Sequence, residues 1–283
     1  MRYYNYLTTP SAKKCNLYEI SNKEYLVLLK FLNGDNYEGF FKALNSLICK
    51  TIPDFLEFDI IDKAYVYIAF YFYSIRGTIG IKSDKVDSIE VPLTVVLDSI
   101  ENAYINKEEK IKFYKWDECI IGYPTILDFE GKTININFAS GIKSINGVLL
   151  TPENKIAISK NATLQDLNRL ENIIRKNFDN DIFFVKDYFG VSDIKDSLLN
   201  PGLFYSIAYI FKESLEQFYN MMYLMCHYVR ISWENLMEMT PLELSIVYKD
   251  FAQDKEEQSK HHSKHKGSIN LNDPNISDTL MGY

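Results

Sequence analysis

The sequence predicts an α+β protein, in which a helical body with an N-terminal β-hairpin receives an inserted antiparallel β region and ends in a disordered C-terminal tail. Three observations predict this class. Apolar residues follow helical spacing on both sides of the middle of the chain, alternate with polar residues in the middle, and become rare near the end. The expected divisions are 1–83 (hairpin plus helices), 84–162 (antiparallel β region), 163–253 (helical region) and 254–283 (flexible charged tail).

The first segment has the pattern of a hairpin that leads into a helix. Two short extended runs, 6–8 and 15–18, flank a Pro-Ser pair that favours a turn. Ser21 then lies three residues before Glu24. This is the spacing of a capping box, in which each residue satisfies a backbone N–H group of the other. A helix is therefore predicted from this point to about Leu32.

Two further helices are predicted before residue 76. Over about 36–50 the apolar residues share one helix face. Residues 54–75 are expected to form a long and mostly buried third helix, although the tyrosines and phenylalanines there also suit a strand. Asp59 and Asp62 in this segment are expected to be solvated or to lie near the helix start, where the helix dipole favours them.

The period of the apolar residues changes in the region 84–162. Apolar and polar residues alternate over 89–95 and again over 133–138, and glycines that suit turns recur along the region. Short alternating runs separated by turns are typical of antiparallel sheets. In the same region, residues 107–116 interleave lysines and aromatics, which could stack on single-stranded nucleic acid. Neighbouring acidic residues offset the lysines, so an exposed, charge-balanced hairpin is the preferred interpretation.

A helix is predicted after Thr163, whose hydroxyl suits an N-cap, because apolar residues over 164–178 follow helical spacing. The clearest helical pattern lies beyond a break at residues 200–202. Apolar residues there are spaced alternately by four and three over about three and a half heptads. We call them the heptad stripe: Phe204, Ala208, Phe211, Leu215, Phe218, Met222, Met225 and Val229. The stripe either packs on other helices of the body or docks a helix of another protein, for which methionines are well suited. The candidate partner-binding residues are Phe211, Leu215, Phe218, Met222 and Met225.

The last element is predicted to be a short helix followed by a tail. Thr240, Pro241 and Glu243 combine a capping threonine, a proline at the first helical position and a glutamate three residues after the cap. This helix is expected to end near Phe251. From residue 254 the chain is mostly polar and charged, so it cannot bury enough apolar surface to offset its conformational entropy.

Composition and charge exclude several classes of protein. With 47% hydrophobic and 24% charged residues, the chain is neither wholly disordered nor collagen-like. A formal charge of −7 argues against broad binding to nucleic acid or to anionic membranes. Four scattered cysteines predict reduced thiols, and the first residues lack the apolar run of a signal peptide. These features indicate a soluble intracellular protein.

The sequence carries no recognisable catalytic or cofactor motif. Signatures of serine hydrolases, phosphate-binding loops and dinucleotide-binding turns are absent. The histidine cluster at 261–265 lies in the predicted tail without carboxylate or thiolate partners, so no metal site is expected. His227 could form a thiol–imidazole pair with Cys226, but adjacent helix residues point about 100° apart, so a partly buried helix histidine is the preferred interpretation. We therefore expect no enzyme, cofactor or catalytic residue. The alternative is a small-molecule or metal-dependent enzyme with an unrecognised site.

Four short motifs follow one another in a particular order. Residues 7–24 hold a Pro-Ser turn and a Glu-containing helix, and residues 59–77 hold two aspartates before an apolar helix that ends in an arginine. A Tyr-Pro-Thr triplet stands at 123–125, and residues 233–243 combine a tryptophan, methionines and a capped Pro-x-Glu helix. This succession resembles the baseplate hub and hub-assembly proteins of T-even-type contractile-tailed bacteriophages.

The resemblance covers most of residues 6–251, but residues 126–162 and the tail have no counterpart in it. It implies binding to other phage tail and baseplate hub proteins during virion assembly and no catalytic residues. The acidic charge, and not the resemblance, argues against a nucleic-acid or membrane partner. The resemblance also implies a location in the host cytoplasm during assembly. A hub component then stays in the virion, whereas an assembly factor leaves.

Overall fold

The computed structural model describes residues 4–83, 86–113, 116–182 and 196–266, and it confirms the predicted α+β class with an N-terminal hairpin. The helices are α1 Asn22–Asn33, α2 Tyr37–Ile48, α3 Ile60–Ser74, α4 Leu93–Ala103, α5 Pro152–Asn161, α6 Leu164–Phe178, α7 Gly202–Phe211, α8 Leu215–Leu224, α9 Trp233–Glu238 and α10 Pro241–Lys266. The strands are β1 Tyr4–Thr8, β2 Lys14–Tyr18, β3 Thr78–Ser83, β4 Val86–Pro92, β5 Glu109–Phe113, β6 Trp116–Ile121, β7 Leu127–Glu130, β8 Thr133–Ile136, β9 Ile142–Ile145, β10 Val148–Leu149, β11 Asp181–Ile182 and β12 Asp196–Ser197. Within these ranges, no helix combines the length and the apolar character needed to cross a membrane.

Helices from both sides of the inserted region share one aromatic core. Helix α3 is buried along most of its length and packs against α4 and α7. The ring of Phe211 on α7 lies 5.4 Å from that of Phe40 and 5.0 Å from that of Tyr71. At the start of α1, the backbone N–H of Asn22 donates to the carbonyl of Met239, just after α9, and its side-chain amide donates to that of Leu236 on α9, at 2.7 Å each. The helices before and after the inserted region therefore form one helical body, although they are far apart in sequence.

The helix starts that the sequence predicts from capping residues are confirmed. Ser21 and Glu24 form a complete capping box at α1. Thr240 and Glu243 exchange backbone-to-side-chain hydrogen bonds of 2.8 and 3.1 Å at α10, and Thr163 caps α6. These interactions involve residues three apart in sequence, which is why local spacing suffices to predict them.

The inserted region contains helices as well as strands. Its largest sheet has the antiparallel order β10-β9-β6-β5, beside separate hairpins such as β7-β8. The strand predicted through Val95 ends at Pro92, because Leu93, Val96 and Ile100 are buried at helical spacing on α4. Helix α5, also unexpected here, begins with a capping threonine and a proline at its first position. The predicted antiparallel β region is therefore present, and it also contains two helices that the sequence pattern did not predict.

The helix predicted over 54–75 is two elements. A 3₁₀ turn, Phe55–Glu57, precedes α3. Between them, Asp59 is extended, and its carboxylate accepts the N–H groups of Ile61 and Asp62 at 3.0 and 2.9 Å. The aspartate therefore caps α3 and sets its start at Ile60, six residues later than the apolar pattern predicts.

The sequence predicts one continuous helix for the heptad stripe. The stripe is instead divided among α7, α8 and a π-helical turn. Helix α7 ends at Phe211, and α8 begins at Leu215 because the hydroxyl of Ser214 accepts the N–H of Gln217 at 3.3 Å. After α8 the chain makes a turn of π-helix, Met225–Val229. The spacing of the buried residues is preserved across the interruption, although the hydrogen-bond ladder is not.

Helix α10 is longer than the sequence predicts. It continues past Phe251 to Lys266, so residues 254–266 are helical. The ammonium of Lys255 lies 5.7 Å from the ring centroid of Tyr228 and 5.8 Å from that of Phe251, which ties the extension to the body. The rest of the predicted tail, 267–283, lies outside the described residues.

Candidate functional site

The Pro-Ser turn between β1 and β2 is fastened to the start of α3. Asp62 is fully buried, and its Oδ1 accepts the backbone N–H of Ser11 at 3.1 Å. Its Oδ2 accepts the hydroxyl of Ser11 and pairs with the ammonium of Lys13 at 3.3 Å. One aspartate therefore satisfies the turn and neutralises the cation beside it. The Pro-Ser motif and the aspartate motif are thus one structural unit.

The Tyr-Pro-Thr triplet at 123–125 meets the same end of α3. Its three carbonyls accept hydrogen bonds in chain order. The first accepts the ammonium of Lys143 at 2.7 Å, and the second accepts the N–H of Ile60 at 2.8 Å. The third accepts the ammonium of Lys63. The triplet therefore docks the inserted region on α3 through its backbone, which any side chain able to adopt this conformation would allow.

Electrostatics at this end of α3 reflect its burial. Burial raises the pKa of Asp59, and the neighbouring Asp62 raises it further. Burial lowers the pKa of Lys63 and of Lys143 to about 8 each, although Asp59 opposes both shifts. The second oxygen of Asp59 accepts the phenol of Tyr104 at 3.1 Å. The sequence predicts that Asp59 and Asp62 are either solvated or near the helix start. They lie at the helix start and are buried. We call Asp59, Asp62, Lys63, Tyr104 and Lys143 together the buried charged cluster.

The candidate partner-binding residues lie in the protein core, which corrects their assignment to a docking surface. Phe211, Phe218, Met222 and Met225 are almost completely buried, and Leu215 is half-buried against them. A partner cannot contact the four buried side chains while the body is folded. The heptad stripe is therefore a packing surface between α7, α8 and the other helices.

Another face of α8 exposes aromatic rings. We call it the aromatic strip; it runs over α8, the π-helical turn, α9 and α10, and consists of Tyr219, Tyr223, His227, Tyr228, Trp233 and Phe251. Tyr219 and Trp233 stack with centroids 6.4 Å apart and ring planes within 6°. Tyr223 stacks on His227 at 5.8 Å. Tyr223 keeps 61% of its surface exposed and Trp233 keeps 41%, so the strip is ordered and still accessible.

The sequence predicts that His227 is partly buried, but the residue belongs to the exposed aromatic strip. The residue is exposed, because positions 219, 223 and 227 are four apart and share the outer face. Cys226, one position earlier, is half-buried. The thiol and the imidazole therefore face different environments, in agreement with the angle between adjacent helix residues.

A third face of α8 lines a groove. Gln217, Met221 and Leu224 lie three to four positions apart and border a cavity of about 710 Å³. The C-terminal end of α3 and the first turns of α10 form its other walls. Glu213, in the interruption between α7 and α8, also lines it. We call this cavity the α8 groove.

The remaining sequence candidates do not add to a site. Lys107 pairs with Glu109 at 2.7 Å and Lys110 with Glu118 at 2.9 Å, so these two lysines of the stretch 107–116 are balanced by neighbouring glutamates. The side chains of residues 113–117 lie outside the described part of the chain. Among the residues whose side chains the structure describes, no three His, Cys, Asp or Glu residues could hold a metal ion. The side chains of the histidine cluster at 261–265 lie outside that part of the chain.

No protein-family model, curated protein or solved structure matches this chain. Function is therefore inferred from geometry and from the order of the motifs. Sequence reasoning missed the aromatic strip and the α8 groove, because the heptad pattern draws attention to the buried face of α8. The four-residue spacing of Tyr219 and Tyr223 is the signal that could have revealed the strip, since it places two exposed aromatics on one helix face.

Proposed function

We propose that this protein is a structural or assembly component of a phage tail baseplate hub and acts by protein–protein binding through the aromatic strip. The observation that carries the binding role is the strip itself. Tyrosine and tryptophan are enriched at interfaces and supply much of their binding energy. Because neighbouring rings of the strip already stack on one another, less side-chain entropy is lost when a partner covers them.

The hub assignment is supported by the order of the four motifs. In the folded chain the first three motifs contact one another through Asp62 and the carbonyls of 123–125. This supports treating them as parts of one fold-defining unit. The fourth motif contributes Trp233 to the aromatic strip. On this proposal the partners are other hub proteins, and binding takes place in the host cytoplasm during tail assembly.

Mass spectrometry of gradient-purified particles from infected cells that express this chain tests the hub assignment. Detection at a few copies per virion identifies a hub component. Detection only in lysate, bound to tail precursors, identifies an assembly factor. Absence from both fractions would contradict the proposal and favour the enzyme alternative.

The role of the strip is tested with the double variant Tyr223→Ala, Trp233→Ala. Both side chains are exposed, so the fold should persist, while the amount of variant that co-purifies with tail precursors should fall by about tenfold or more. Tyr6→Ala is the matched control, because Tyr6 is 78% exposed on β1, outside the strip. Equal recovery of wild type and double variant would exclude the strip as the binding surface.

A further inference from the structure

The α8 groove has the dimensions of a ligand site. Its volume of about 710 Å³ falls within the range of about 300–1,000 Å³ that is common for small-molecule and peptide pockets. Tyr25, Tyr71 and Tyr248, from three different helices, are among its lining residues. Such walls suit an apolar or aromatic group.

Two side chains of α1 stabilise the break between α7 and α8, which borders the groove, by hydrogen bonds to its carbonyls. The phenol of Tyr25 donates to the carbonyl of Phe211 at 3.1 Å. The side-chain amide of Asn33 donates to the carbonyl of Glu213 at 2.9 Å. Both carbonyls therefore have partners outside the α7 and α8 ladders. The break between α7 and α8 is therefore stabilised by the fold, since α1 satisfies the polar groups that the break exposes.

Positive charge is concentrated at the mouth of the groove. Arg76 and Lys249 line it and are exposed, whereas Lys212 pairs with Asp35 at 3.1 Å. Burial raises the pKa of Glu213, and Arg76 opposes that shift. On a chain with a formal charge of −7, this mouth is a local site of attraction for anions.

The groove also offers hydrogen-bond donors and an acceptor below the mouth. Burial raises the pKa of Tyr71 to about 12, so its phenol stays protonated and donates at neutral pH. Glu213 supplies a half-buried carboxylate that can accept N–H groups. An extended peptide has both complements, because it presents carbonyl oxygens and N–H groups along one backbone.

We propose that the α8 groove binds an acidic peptide segment of a partner protein, with an apolar or aromatic side chain between the tyrosines and flanking carboxylates on Arg76 and Lys249. This inference rests on the proposal that the chain works by binding proteins. It deepens that proposal by giving the chemistry of one partner segment. The aromatic strip and the groove occupy two faces of α8, so one partner could cover the strip and insert such a segment beside it.

Fluorescence anisotropy of the full chain with three labelled hexapeptides tests the inference. The peptides share a central Phe-Leu pair and carry four glutamates, four serines or four lysines around it. The acidic peptide should bind about tenfold more tightly than the basic one at low salt. The variant Arg76→Gln, Lys249→Gln should lower that preference by about fivefold or more. The matched control is Lys107→Gln, Lys110→Gln, which removes the same charge from the distant β5-β6 hairpin and should retain the preference.

Three results would overturn the inference: equal affinity for acidic and basic peptides, an equal loss in the control variant, or displacement of the labelled peptide by free glutamate as effectively as by unlabelled peptide. The last result would identify a site for small anions. The Tyr223→Ala, Trp233→Ala variant separates the two proposals, because it should keep its peptide affinity while losing tail precursors. A chain that binds precursors but prefers no acidic peptide keeps the proposed function and loses this inference.

Discussion

The buried charged cluster at the start of α3 and the aromatic strip on α8 both contain tyrosine, but they satisfy their side chains in opposite ways. In the cluster, aspartates, lysines and a tyrosine bond to one another and to backbone groups of the same chain. In the strip, aromatic rings stack in pairs and remain exposed. The comparison teaches that the motifs that are easiest to see in this sequence fix the fold, whereas the surface that we propose binds partners lies mainly elsewhere.

The two regions should therefore respond differently to substitution. Removing one member of a buried polar group leaves the other members without partners in a medium that solvates them poorly. Removing an exposed ring costs the folded state little, because the same ring is also exposed to water in the unfolded chain. Changes in the cluster are expected to alter stability, and changes in the strip are expected to alter binding.

The largest expected effect is that of Asp62→Ala. The substitution removes the acceptor for both the N–H and the hydroxyl of Ser11 and the partner of Lys13, so the free energy of unfolding should fall by about 3 kcal/mol. Urea unfolding at neutral pH measures it. Asp98→Ala, which removes an exposed carboxylate on α4, should change stability by less than about 0.5 kcal/mol. A similar small change for Asp62 would remove the distinction between the two regions.

A second prediction concerns the pH dependence that Lys63 contributes. Its pKa is about 8 in the folded protein against an ordinary value of 10.5 for lysine, so the unfolded state binds more protons between these two values. The free energy of unfolding should therefore rise with pH in this window, by up to about 1.4 kcal/mol per pH unit. Lys63→Met should lose that part of the rise. Below pH 8 both states hold the proton, and the contribution no longer varies.

Urea unfolding of wild type and Lys63→Met at about pH 8, 9 and 10 measures this difference. Thiols and phenols titrate in both proteins, so their contributions largely cancel when the two curves are compared. Lys42→Met is the control, because the side chain of Lys42 is 73% exposed on α2, and its curve should follow that of wild type. Parallel curves for all three proteins would show that Lys63 is not held in a desolvated site.

Much of the fold is readable from the sequence wherever one interaction joins residues close together in the chain. Ser21 and Glu24 are three apart, and their capping box forms as predicted. The interruption between α7 and α8 is different. It depends on Tyr25 and Asn33, which are 186 and 180 positions away from the carbonyls they bind. The cap at Ser214 marks the start of α8 locally, but no local pattern reveals these contacts from α1.

The candidate surface could be predicted only in part for the same reason. The heptad stripe correctly marks the residues of α7 and α8 that are buried, but a repeating apolar pattern does not state what covers it. Here the covering residues include Tyr25 of α1, whose ring lies 5.4 Å from that of Phe218. The stack of Tyr219 on Trp233 joins two helices. It depends on the turn between them, which the sequence does not specify.

The smallest expected changes in stability come from removing one tyrosine hydroxyl from the buried charged cluster and one from the aromatic strip. Tyr104→Phe deletes the hydroxyl that donates to Asp59, so a buried carboxylate loses a donor, and stability should fall by about 1–1.5 kcal/mol. Tyr223→Phe deletes a hydroxyl on a side chain that is 61% exposed. Water solvates that hydroxyl in both the folded and the unfolded state, so stability should stay within about 0.3 kcal/mol of wild type.

Because the chemical change is identical, the two variants compare the regions directly by urea unfolding. The difference between them should persist at high salt, since a buried hydrogen bond is screened much less than a surface charge pair. Equal losses would mean that the phenol of Tyr223 has a partner within the fold. The aromatic strip would then belong to the same class of structure as the buried charged cluster, and the binding surface would have to be sought in the α8 groove alone.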